Sequence, residues 1–314
     1  MGKYKLWPEI KPFKEDYIKV SKIHDIRYAL YGNPDGKPVF FLHGGPGSGS
    51  DDEDARWFNP KKYLVITHDQ RGSGKSTPLG EIKDNNPLKL VADIEKLRKH
   101  LNINKPISIF AGSWGTTLAL MYAEAFPQNV SRMILRGIYT CEWEEQDFFY
   151  SENGAARFSP DAWDRFIKKI PEGSERIQER IHKFIEQSND IDRKKWCTIL
   201  AEYEYSFFNI SAEKLKKSLS NFESFFPEMR INIFYQANHF FLEDKQIINN
   251  IDKIKNIPVT IIQGNRDVIC PPVSAWKLYK RLPKSTLKLV AGAGHLSSDP
   301  KIQSALLEAV NNWS

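Results

Sequence analysis

Six short apolar runs, separated by stretches with helical spacing, limit this chain to few architectures. The runs are Pro38-Val39-Phe40-Phe41-Leu42, Tyr63-Leu64-Val65-Ile66-Thr67, Ile107-Ser108-Ile109-Phe110, Met133-Ile134-Leu135, Val259-Thr260-Ile261-Ile262 and Leu287-Lys288-Leu289-Val290. Most are β-rich and nearly continuous in hydrophobicity, the pattern of strands covered on both faces. Between them, Leu90 to Leu101 sets Val91, Ile94, Leu97 and Leu101 at helical spacing, and an Ala/Leu-rich segment from Thr116 to Phe126 stops at Pro127. Alternation of this kind predicts an α/β fold with a mainly parallel sheet, right-handed crossovers and helices on both faces.

The alternation breaks near residue 140 and resumes near Pro258. The intervening stretch reads as helical, with Phe166, Ile170, Ile177, Ile181 and Phe184 at helix-like intervals. The expected organisation is a core of residues 1–139 and 241–314, split in sequence by a helical cap of residues 140–240. Charge supports the division. The chain of 314 residues carries 45 Lys/Arg and 39 Asp/Glu, a net of +6. Residues 140–240 hold 14 Lys/Arg and 18 Asp/Glu, a net of −4, which leaves 31 minus 21, or +10, for the rest. The same stretch holds 19 of the 39 aromatic residues. Such a shift marks an inserted unit with its own surface and task.

Because Lys and Arg are interspersed with acids, the basic balance points away from nucleic acid as a partner. The longest apolar runs fall far short of the roughly 20 residues of a membrane helix, and the opening MGKYKLWPEI lacks the apolar core of a signal peptide. Asn129-Val130-Ser131 and Asn209-Ile210-Ser211 fit the glycosylation pattern, which carries no weight without secretion. Cys141, Cys197 and Cys270 are too few and too scattered for a disulfide framework or a zinc site. A reduced cytoplasm is the expected location.

The strongest chemical signal is Ala111-Gly112-Ser113-Trp114-Gly115, after a predicted strand and opening a predicted helix. A tight turn there exposes the Ser113 hydroxyl, and small neighbours are needed because a helix packs close by. The same residues also suit a plain helix N-cap. A nucleophilic serine needs a base and an orienting acid. Ile262-Gln263-Gly264-Asn265-Arg266-Asp267 offers Asp267 after one strand, and Gly292-Ala293-Gly294-His295 offers His295 after the last. The order Ser, Asp, His is that of hydrolases built on an open α/β sheet. His43-Gly44-Gly45-Pro46-Gly47 follows the first strong strand. It can supply an oxyanion donor: the Gly45 N–H, with the Trp114 N–H as the second.

Together these motifs resemble the proline iminopeptidase family of serine α/β-hydrolases. The marks are HGGPG at 43–47, Asp69-Gln70-Arg71-Gly72-Ser73-Gly74-Lys75-Ser76, Gly112-Ser113-Trp114-Gly115-Thr116-Thr117-Leu118-Ala119-Leu120, Gly264-Asn265-Arg266-Asp267 and Gly292-Ala293-Gly294-His295. The resemblance implies an α/β-hydrolase fold with an inserted helical cap, and a peptidase that releases N-terminal proline through an acyl-enzyme. It implies Ser113, Asp267 and His295 as the triad, no metal and no organic cofactor. Its partners are then short peptides with a free N-terminus. Members bind the substrate amine through cap glutamates near aromatic residues. Ala201-Glu202-Tyr203-Glu204 resembles the stretch that carries one, so Glu204, with Tyr203 beside it, is the candidate. The other glutamate's place, before Asn238-His239-Phe240-Phe241, is taken by Ala237. A related serine esterase or amidase, and a catalytically dead scaffold, are the alternatives. The sequence does not specify an oligomeric state.

Overall fold

The computed structural model describes residues 4–208 and 212–313, so Asn209-Ile210-Ser211 lies outside the described residues. Among the described residues, eight strands form one sheet: β1 (Lys14–Lys19), β2 (Asp25–Gly32), β3 (Lys37–Leu42), β4 (Tyr63–His68), β5 (Ile107–Gly112), β6 (Val130–Arg136), β7 (Val259–Gly264) and β8 (Ser285–Val290). Their spatial order is β1-β2-β4-β3-β5-β6-β7-β8. The six expected runs form the parallel set β4-β3-β5-β6-β7-β8. Two N-terminal strands outside those runs add an antiparallel margin, β1 on β2 and β2 on β4. In β1 only Ile18 is buried, and such a charged, mostly exposed strand suits a sheet edge.

The helices are α1 (Pro87–His100), α2 (Trp114–Ala125), α3 (Trp143–Phe149), α4 (Pro160–Ile167), α5 (Ile177–Gln187), α6 (Asp190–Tyr205), α7 (Ala212–Ser220), α8 (Phe222–Ala237), α9 (Gln246–Asn250), α10 (Pro272–Arg281) and α11 (Pro300–Asn311). The alternation of side chains along each strand divides the core in two. Phe40, Leu42, Ile66, Ile107 and Ile109 pack with Leu90, Ile94 and Leu97 of α1 and Leu118 and Tyr122 of α2. Val39, Val65 and Phe110 face the other way, toward Leu306 and Val310 of α11.

Between β6 and β7 the described residues contain no strand. Helices α4, α5, α6 and α8 there enclose a third cluster, with Phe166, Ile181, Ile185, Tyr203 and Ile233 at its centre. Helix α8 is tied to the loops above the sheet. Arg230 donates to the Gly80 carbonyl at 3.0 Å, and the Tyr235 hydroxyl donates to Asn85 Oδ1 at 2.7 Å.

Candidate active site

The loops that follow β3, β5, β6, β7 and β8 meet at one cavity of about 310 Å³, roofed by α6 and α8. Ligands of open α/β sheets bind in this position, outside the carboxyl ends of the strands. Ser113 occupies the turn from β5 into α2 with φ 57° and ψ −132°. Strain of this kind costs a non-glycine residue roughly 1–3 kcal/mol and must be imposed by its surroundings. The Ser113 N–H donates to the Arg136 carbonyl at 2.9 Å. Close packing fixes both flanking glycines. A Cβ at Gly115 would overlap the Leu42 carbonyl oxygen, and one at Gly112 would overlap the Arg136 guanidinium.

His295, on the loop after β8, bridges Ser113 and Asp267. Its Nε2 lies 3.0 Å from Ser113 Oγ and its Nδ1 2.8 Å from Asp267 Oδ2. Because a carboxylate only accepts, Nδ1 carries the proton and Nε2 is left to accept from the Ser113 hydroxyl. Asp267 is oriented in turn by the Ile269 and Cys270 N–H groups, which donate to Oδ1 at 3.1 and 2.9 Å. Gln263 donates to Oδ2 at 3.1 Å. The turn after β6 completes the frame. Arg136 donates to the His295 carbonyl at 2.9 Å, and at Gly137 a Cβ would press within 3.1 Å of the His295 ring.

The glycine loop after β3 runs against the serine, and a Cβ at Gly44 would lie 3.4 Å from Ser113 Cβ. Gly45 lines the cavity with φ +105°. Trp114 is the first residue of α2, so its N–H belongs to the set that a helix cannot satisfy internally. The Trp114 indole N–H donates to Gln70 Oε1 at 2.9 Å, while Gln70 Nε2 donates to the His43 carbonyl at 2.9 Å. The elbow, the DQRG segment and the glycine loop therefore form one hydrogen-bonded unit. Asp69 extends it by accepting from the Ser50 and Lys75 N–H groups at 2.7 and 2.8 Å.

The helical layer lines the cavity with acidic and aromatic residues. Glu204, on α6, accepts from the Tyr150 hydroxyl at 2.7 Å, from Asn232 at 3.0 Å and from Gln236 at 3.1 Å. Burial pushes its carboxyl up to about 7 although all three hydrogen bonds favour the ionised form. Glu228, on α8, lines the same cavity and is also raised by burial, with the Ser48 hydroxyl opposing the shift. Tyr203 points elsewhere: its ring stacks on Phe166 at 4.4 Å and its hydroxyl donates to the Phe149 carbonyl. Tyr150 and Tyr205 line the cavity instead.

The structure thus brings Ser113, His295, Asp267, Gly45 and Glu204 to one place, with Trp114 at the helix start and Tyr203 in the helical layer. Sequence reasoning passed over Arg136, Gly137, Glu228 and Gln263. Arg136 and Gly137 stand at the carboxyl end of a recognised strand, which was a usable signal. Glu228 lies in a run with no motif. Among the described residues, no group of three or more His, Cys, Asp or Glu is arranged to hold a metal ion. No helix among them is long and apolar enough to cross a membrane.

Residues 37–301 match the family model of the alpha/beta hydrolase fold. The chain is 39% identical to a proline iminopeptidase of Arabidopsis thaliana, over 98% of this chain and 82% of that one. It is 39% identical to a probable proline iminopeptidase of Leptolyngbya boryana, over 98% and 96%. It is 38% identical to a proline iminopeptidase of Neisseria gonorrhoeae, over 97% of each chain. Solved structures of similar fold include a bromoperoxidase from Bacillus anthracis, with TM-score 0.66 and 20% identity over 96% of this chain and 99% of that one. An esterase from Exiguobacterium antarcticum superposes with TM-score 0.65 and 20% identity, over 95% and 98%.

Proposed function

The chain belongs to the proline iminopeptidase family of α/β-hydrolases, and from that premise we propose that it releases N-terminal proline from short peptides through an acyl-enzyme on Ser113. It is a hydrolytic aminopeptidase of this family. The observation that carries the mechanism is the unbroken chain Ser113–His295–Asp267 at a cavity that Glu204 and Glu228 also line.

His295 takes the Ser113 proton through Nε2 as Oγ attacks the carbonyl carbon of the N-terminal residue. Asp267 stabilises the imidazolium that forms. The Gly45 and Trp114 N–H groups receive the oxyanion. Collapse of the tetrahedral intermediate breaks the C–N bond, with His295 giving its proton to the leaving amine. Water then repeats the sequence on the ester and frees the acid. Glu204 and Glu228 take the substrate's ammonium, and Tyr150, Phe149 and Phe240 on the cavity wall supply the apolar surface for the pyrrolidine ring. The second carboxylate comes from Glu228, because Ala237 has none to offer. The expected location is the cytoplasm.

The test is hydrolysis of proline naphthylamide by the wild type and by Ser113→Ala, with a fluorophosphonate to label the serine. Ser113→Ala should lose both labelling and about 10⁴-fold or more in kcat. An active S113A protein would sink the mechanism. N-acetylproline naphthylamide should be cleaved at least about 10²-fold less efficiently, because it leaves buried acids without their cation. Equal cleavage of blocked and free substrates, with short acyl esters preferred, would favour an esterase or amidase instead.

A further inference from the structure

Helix α8 touches the glycine loop directly. The Ser48 hydroxyl donates to Glu228 Oε1 at 2.6 Å. A Cβ at Gly47 would lie 2.9 Å from Glu228 Cα and 3.1 Å from the Glu228 carbonyl oxygen, so no side chain fits between loop and helix there. At Gly45 a Cβ would meet the Ser48 N at 2.9 Å and the Ser48 Oγ at 3.0 Å. The hydroxyl that Glu228 holds therefore lies against the backbone of the proposed oxyanion donor. The helix is a firm support, because Arg230 and Tyr235 tie it to Gly80 and Asn85.

We propose that Glu228 is a positioning residue for the glycine loop: by accepting from the Ser48 hydroxyl it fixes the turn that presents the Gly45 N–H, and it does so from the wall that faces the substrate amine. The inference rests on the acyl-enzyme reading above. It gives α8 a part in the rate of the chemical step as well as in binding. An oxyanion donor acts only where it meets the developing charge, and a shift of about 1 Å can cost up to about 10² in rate. Ser48 lines the cavity and meets its acidic lining at Glu228, while its hydroxyl lies against the Gly45 backbone, so an effect on kcat that leaves KM alone passes through the loop.

The experiment is steady-state kinetics on proline naphthylamide with Ser48→Ala, Glu228→Ala, Glu228→Gln and the double variant S48A/E228A. Ser48→Ala should lower kcat about tenfold with KM within about twofold of wild type. Glu228→Ala should lower kcat by a similar factor and raise KM as well. Glu228→Gln keeps an oxygen that accepts from Ser48, so it should recover most of the kcat lost in E228A while KM stays raised. The double variant should have a kcat no lower than E228A, since both changes remove one contact. Wild-type kcat in S48A, multiplicative losses in the double variant, or no recovery in E228Q would each overturn the proposal. Failure of the acyl-enzyme reading is separately visible, as retained activity in S113A.

Discussion

Glu204 is a carboxyl whose burial is costly to the fold, and the proposed amine binding would make use of it. Its carboxyl rises from 4.5 to about 7 because burial outweighs the hydrogen bonds from Tyr150, Gln236 and Asn232. Between those values the native state holds a proton that the unfolded chain has released, so stability falls as pH rises through that window. Glu204→Gln should flatten that fall in urea titrations run from pH 4.5 to 8. An ammonium in the cavity favours the carboxylate, so KM for proline naphthylamide should climb as pH drops below about 7. Above about 8 the substrate's own α-amino group loses its charge, and affinity should peak between the two. A KM that stays flat from pH 5 to 7 in the wild type, or the same slope in E204Q, would remove Glu204 from amine binding.

At the scale of elements, the loop after β4 binds the site's parts together. Arg71 donates to both oxygens of Asp93, on α1, at 2.6 and 2.8 Å, and to Asp84 at 2.9 Å, with Arg71 and Asp93 both buried. Removing one partner strands the other charge, which typically costs about 3–5 kcal/mol. Arg71→Met should therefore lower the urea midpoint sharply, while the double change R71M/D93L should recover much of the loss. Equal midpoints for the two proteins would show that no stranded charge is at stake. What was legible in the sequence follows the same physics. The six buried parallel strands announced themselves because strands covered on both faces are apolar throughout, as Phe40 and Phe110 illustrate. Strands β1 and β2 did not, since β1 is mostly exposed and β2 carries Arg27 and two tyrosines. Ser113, Asp267 and His295 could be picked out because each follows a strand in a fixed order. Glu228 could not, because only the packing of α8 on Ser48 and the cavity gives it a role. Tyr203 and Glu204 are neighbours on α6, yet the step of roughly 100° per residue turns them to different faces, and a local match cannot say which face lines the cavity.

For the whole molecule, the helical stretch carries its own apolar cluster, distinct from the two that sandwich the sheet. Clusters that share few side chains open separately. Native-state hydrogen exchange should find the amides of α5 and α6 exchanging together at a lower free energy than those of β3 and β5, with α8, whose Ile231 and Tyr235 belong to the sheet's own cluster, between them. A single free energy for all of them would contradict that. Part of the acidic charge of the same stretch, −4 against +10 elsewhere, faces the cavity, which three of its glutamates, Glu145, Glu204 and Glu228, line together with Ser113. The order of strands has a last consequence, in time rather than space. Strands β6 and β7 are neighbours in the sheet, yet Arg136 and Val259 are separated by more than a hundred residues. At roughly 5–20 residues per second of synthesis, about 6–25 s pass between them. During that interval the nascent chain already holds the serine turn and the glycine loop. It has neither Asp267 nor His295, and β6 presents an open edge. The intervening helices emerge while that edge waits, so their own cluster can form before the last two strands arrive. By this order of emergence, the hydrogen-bonded chain Ser113–His295–Asp267 closes last, when the loop after β8 docks.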